Sequence, residues 1–221
     1  MRKSRGMWGK VAYALIIPPF LTAPVCILMY LLGVDVNAIK DLWYVGIFIG
    51  SVWLAKSDGI SLNNIGLTRK GCGRSFVLAA VWEATTFFMV GVPIFYLLAG
   101  RLPGLIPFNA RMIYMAFHFA LVGLAEETWF RGLVLRRLLD LGMGGVAAVA
   151  CNAALFTFIH VPASVPILLE NPALLPSYLL SMSSLFLWSA GFAEISLKTY
   201  NIVGPVVLHG VDDFVSKALV I

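Results

Sequence analysis

Charge is scarce in this chain. Only 12% of its 221 residues are Asp, Glu, Lys or Arg, against about 25% in a soluble domain. Cysteine is nearly absent too. Cys26, Cys72 and Cys151 show no CxxC spacing, which excludes a disulfide framework and a zinc knuckle. No segment repeats another, and low-complexity tracts are lacking, which speaks against the inverted repeats of many transporters. What is present is apolar. Hydrophobic residues make up 60% of the chain, and the mean hydropathy is +0.91. A soluble fold of this size cannot cover so much apolar surface, so its solvent must be lipid. The expected fold class is all-α: a polytopic transmembrane helix bundle of about seven spans, six at fewest and eight at most. It is read as one transmembrane domain over residues 1–221, with its site between helices.

Apolar segments fall at about 11–33, 42–55, 76–99, 112–138, 144–161, 175–197 and 202–220. The loop 56–75, KSDGISLNNIGLTRKGCGRS, is the one long polar connection. The N-terminus, MRKSRGMWGK, is basic and has no small-x-small cleavage site after it, so it reads as a retained cytoplasmic tail. With that tail inside, twelve basic residues fall on the inner side and four on the outer, as the positive-inside rule requires. The formal net charge of +5 is then explained by cytoplasmic loops facing anionic lipid, with no nucleic-acid partner.

The few charges that remain in apolar runs stand out. LAEETWFRG, residues 124–132, places Glu126, Glu127 and Arg131 deep in the fourth segment. A carboxylate there costs about 2.5–3.5 kcal/mol on insertion scales, so it marks function by default. Glu127 and Arg131 are spaced i, i+4 and can pair. Glu126 lies about 100° round the helix and stays free for other work. In the fifth segment Asn152, Phe156 and His160 form one stripe. In the last, His209 and Asp213 share a face. Each pattern alone also fits a packing contact. Gathered around Glu126, they would supply a base, a second proton carrier and donors to a developing oxyanion, a set suited to hydrolysis by activated water. By residue counting, however, His160 and His209 fall toward opposite ends of their spans. The same groups are also acceptable zinc or iron ligands, though no HExxH is present.

His118 reads as a packing histidine. Glu83 is a buried acid whose partner would be a histidine or a loop base. Glu194 and Lys198 are expected to pair at i, i+4. Trp43, Tyr44, Trp53, Trp188 and Tyr200 read as interface-belt aromatics.

In this order, EETWFR at 126–131, FTFIH at 156–160 and HGVDD at 209–213 resemble the CPBP family. These are the type II CAAX prenyl endopeptidases and their bacteriocin-processing or bacteriocin-immunity relatives. The family pattern is EExxxR, FxxxH and HxxxN or HxxxD on transmembrane helices, and the resemblance covers about residues 112–214. It implies an intramembrane endopeptidase in which Glu126 activates water and His160 assists. His209 and Asp213 would then stand at the oxyanion, with Glu127, Arg131, Asn152 and Phe156 shaping the site. Prenyl proteases carry Asn where this chain has Asp213. An ionised Asp cannot donate a hydrogen bond, so this residue must be protonated, orient His209 or bind metal. That moves the expected substrate from prenylated proteins to a peptide, leader or membrane-protein segment. The compact length resembles the prokaryotic branch, so the expected location is a prokaryotic cell membrane, multi-pass, with lipid as a partner. No cofactor is expected; the alternative is a zinc ion held by Glu126, His160, His209 and Asp213. The rival functions are a non-enzymatic immunity or scaffold protein of the same fold, and a proton-coupled transporter using Glu83, Glu126 and Glu127.

Overall fold

A computed structural model describes residues 36–220 except 101, 103, 106 and 108. The basic tail and the first apolar segment, 11–33, lie outside the described residues. Within them the chain is helical apart from one two-residue antiparallel ladder, β1 (Gly104–Leu105) against β2 (Leu219–Val220). The helices are α1 (Val36–Ser57), α2 (Cys72–Thr86), α3 (Val92–Ala99), α4 (Ala110–Glu127), α5 (Leu135–Asp140), α6 (Gly145–Phe158), α7 (Val161–Glu170), α8 (Leu175–Thr199) and α9 (Val203–Ala218). π-helical turns join α2 to α3 at Phe87–Gly91 and α4 to α5 at Thr128–Val134.

Two helical stretches, Cys72–Ile94 and Pro172–Thr199, are long and apolar enough to cross a membrane. Many large apolar side chains point outward, including Leu42, Trp53, Met89, Val146, Phe158 and Leu169. In water such a surface would be an aggregation liability; in lipid it is the solvated face.

Three differences from the sequence pattern have physical causes. The long fourth segment is one helical path, but its ladder widens into a π turn right after the two glutamates. The fifth ends at Phe158, because Pro162 has no N–H to donate to the Phe158 carbonyl. The pattern places no element between 161 and 175, yet the chain forms α7 there.

Close approach of backbones positions the site. A Cβ on Gly123 of α4 would lie 2.5 Å from the Val206 carbonyl oxygen of α9, and one on Gly210 would lie 2.8 Å from the Phe119 oxygen. Glycine at both positions lets α4 and α9 touch backbone to backbone, the small-residue packing used where lipid supplies no hydrophobic drive. Asn201 ties the start of α9 to the polar loop, donating to the carbonyls of Thr68 (2.7 Å) and Lys70 (3.0 Å).

Candidate active site

The α4–α9 contact sets Glu126 and Glu127 against His209. Glu127 is fully buried and doubly engaged through one oxygen. Its Oε1 lies 2.9 Å from Arg131 Nη1 and accepts at 2.8 Å from His209 Nδ1. Arg131, also fully buried, donates through Nη2 to the Ser189 hydroxyl (2.9 Å) and carbonyl (3.3 Å) of α8. Its guanidinium lies over the Phe156 ring, 4.5 Å from the centroid. The expected Glu127–Arg131 pair is therefore present, and it reaches two further helices, α8 and α9.

Oε2 of each glutamate is buried with no hydrogen-bond partner among the described residues, but of the two it is Glu126 that lines a polar cavity. His209 Nε2 stands 3.8 Å from Glu126 Oε2. The same Nε2 lies 3.5 Å from Asp213 Oδ2. With Nδ1 given to Glu127, the tautomer and ring orientation of His209 are set, and Nε2 faces both remaining carboxylates.

His160 and His209 reach one cavity despite their places in the sequence. That cavity is about 230 Å³ and is lined by Glu126, Phe156, His160, His209 and Asp213. His160 is not on the α6 stripe, as the spacing suggests, but in the turn between α6 and α7. Its Nδ1 pairs with the Phe156 carbonyl oxygen at 2.8 Å. The break before Pro162 is what turns it inward. Phe156 packs edge-on against Phe130 and His209. Asn152 does not reach the cavity. It donates through Nδ2 to the Phe130 carbonyl at 2.9 Å and so braces the π turn that carries Arg131.

Several sequence readings change. Trp188 is no belt aromatic: it is buried, lines the cavity and stands edge-on to His209 at 4.9 Å. Its indole N–H donates to Glu83 Oε2 at 2.8 Å, so the partner of Glu83 is a tryptophan rather than a base. Asp212 of α9 faces the same carboxyl. Tyr44 lines the cavity from α1, and His118 lines it too. Trp53 and Tyr200 are exposed, and Glu194 pairs with Lys198 at 3.0 Å. Only contacts from distant helices reveal Ser189, Trp188 and Asp212 as site residues; no spacing rule links them to Glu126.

Beyond Trp188 lies a second cavity, about 290 Å³, lined largely by apolar side chains such as Phe87, Val90, Ile94 and Val215. It shares Leu185, Trp188 and Asp212 with the polar one. An apolar chamber thus adjoins a polar one containing a free carboxylate.

Among the described residues no group of three His, Cys, Asp or Glu side chains is placed to hold a metal ion.

Comparison with known proteins adds one finding. The family model described as type II CAAX prenyl endopeptidase Rce1-like matches residues 107–215. No curated protein and no solved structure matches the chain.

Proposed function

Through residues 107–215 the chain belongs to the type II CAAX prenyl endopeptidase Rce1-like family, and from that premise we propose that its polar cavity cleaves peptide bonds of membrane-associated substrates. One observation carries the reading. Of the two adjacent glutamates, Glu127 is held by Arg131 and His209 away from the cavity, while Glu126 lines the cavity with all three histidines and keeps an oxygen there without a hydrogen bond among the described residues. A general base needs such a free oxygen beside space for water.

In the proposed reaction Glu126 takes a proton from water, and the water oxygen attacks the scissile carbonyl carbon. The carbonyl oxygen gains negative charge, which the Nε2–H of a doubly protonated His209 stabilises, its Nδ1–H being given to Glu127. Glu127 holds that ring through Nδ1, and Asp213 steadies Nε2 from the other side; this is the orienting role among those open to an aspartate here. The C–N bond then breaks. The proton held by Glu126 passes to the leaving nitrogen, with His160 as carrier. Its Nδ1 is anchored on the Phe156 carbonyl, which leaves Nε2 for transfer. No step runs through a metal. The neighbouring apolar chamber suits an apolar segment flanking the cleaved bond, in line with a peptide, leader or membrane-protein substrate.

The test is comparison of peptides in cells carrying the wild-type chain or Glu126→Gln, followed by cleavage of the accumulated peptides by purified protein in liposomes. Peptides that persist uncut only with Glu126→Gln are expected. Full cleavage by that variant overturns the role of Glu126. A chain whose cellular activity survives both Glu126→Gln and His160→Ala is a non-enzymatic member of the fold.

A further inference from the structure

All three histidines of the chain line the same cavity, and the proposed reaction uses two. The third, His118, sits eight residues before Glu126 on α4, about 12 Å along the helix axis. It is not held by packing alone. Its Nδ1 hydrogen-bonds to Asp41 Oδ1 of α1, and Tyr114 donates to Asp41 Oδ2 at 2.9 Å. The ring stacks on Tyr114 and meets the edge of Tyr44. A carboxylate on one nitrogen, fixed in turn by a tyrosine, sets ring orientation and leaves Nε2 as the nitrogen with no protein partner among the described residues. A histidine serving only as packing has no need of this arrangement. Phe119 and Val122 form the cavity wall between His118 and Glu126.

We infer that His118, oriented by Asp41, binds the peptide backbone of the substrate through Nε2, at a position about three to four extended residues from the cleaved bond. This rests on the reading of the cavity as hydrolytic. The ligand class follows from the nitrogen. With Nδ1 committed to Asp41, Nε2 accepts from an amide N–H when the ring is neutral and donates to an amide C=O when it is charged, and a peptide backbone offers both. Extended peptide crossing the cavity from Glu126 reaches His118 after that length. His118 is thus a substrate-binding residue, and Asp41 and Tyr114 are positioning residues behind it.

The experiment uses the full chain in detergent micelles, labelled with 15N-histidine, and short internally quenched peptides of Leu, Val, Phe, Ala and Ser with one backbone N-methyl group scanned along them. Adding peptide should shift the His118 Nε2 resonance. His118→Phe keeps the ring packing and loses both nitrogens; it should raise KM about tenfold and leave kcat within about threefold, the loss expected for one hydrogen bond. His118→Gln returns a polar group near Nε2 and should restore most of that loss. One N-methyl position should weaken binding to the wild type and not to His118→Phe. A packing role predicts the opposite order, with Phe tolerated and Gln damaging, and that result overturns the inference. So does cleavage of peptides with no movement of His118. Movement of His118 without cleavage by the wild type keeps the peptide contact at Nε2 and removes the hydrolytic reading together with the register to a cleaved bond. Neither movement nor cleavage removes both.

Discussion

Arg131→Ala should unfold this protein more readily than any change at Glu126. In the structure Arg131 is fully buried and serves three partners: Glu127 at 2.9 Å, Ser189 at 2.9 and 3.3 Å, and the Phe156 ring at 4.5 Å. Truncation leaves the Glu127 carboxylate with His209 as its one remaining close partner among the described residues and opens space beneath Phe156. Removing one member of a buried pair costs about 3–5 kcal/mol in soluble proteins, and a water-containing cavity nearby favours the lower end. At about 3 kcal/mol, with about 2–4 °C per kcal/mol in a chain of this size, the midpoint should fall by roughly 6–12 °C. Glu126→Gln removes a charge beside two other carboxylates and breaks no hydrogen bond at Oε2, so its midpoint should stay within about 2 °C or rise. Thermal unfolding of both variants in one detergent, followed by tryptophan fluorescence, measures the difference. Cleavage should be lost in Glu126→Gln with the fold intact, and lost in Arg131→Ala together with the fold. If Glu126→Gln is the more destabilising, the two glutamates have been assigned in the wrong order and the reaction proposed for the cavity falls with them.

Two further outcomes follow from the same geometry. Gly210→Ala puts a Cβ 2.8 Å from the Phe119 carbonyl oxygen, so α9 must move off α4; activity should drop at least as much as stability, because His209 moves with the helix, and a variant with unchanged cleavage rate would show that the backbone contact does not position the site. Chelation should leave cleavage unchanged, and elemental analysis of purified protein should find no stoichiometric zinc; zinc that is present and lost in His209→Ala would make the cavity a metal site.

Sequence alone determined the solvent and the residues with chemistry. Composition required lipid, and i, i+4 spacing paired Glu127 with Arg131 and placed Asp213 beside His209, because those relations belong to a single helix and travel with it. The ordered motifs resembled the family whose model then matched residues 107–215. Tertiary structure decided the rest. Residue counting put His160 and His209 at opposite membrane depths, since it assumes straight, unbroken spans; the break before Pro162 and the glycine contact of α4 with α9 bring both to Glu126. His118 read as a packing residue and Trp188 as an interface-belt aromatic, because their hydrogen-bond partners, Asp41 and Glu83, lie 77 and 105 positions away. A periodicity reports which face of a helix a residue occupies. It carries nothing about which other helix meets that face, and in this protein that meeting leaves Glu126 free while it ties Glu127 down.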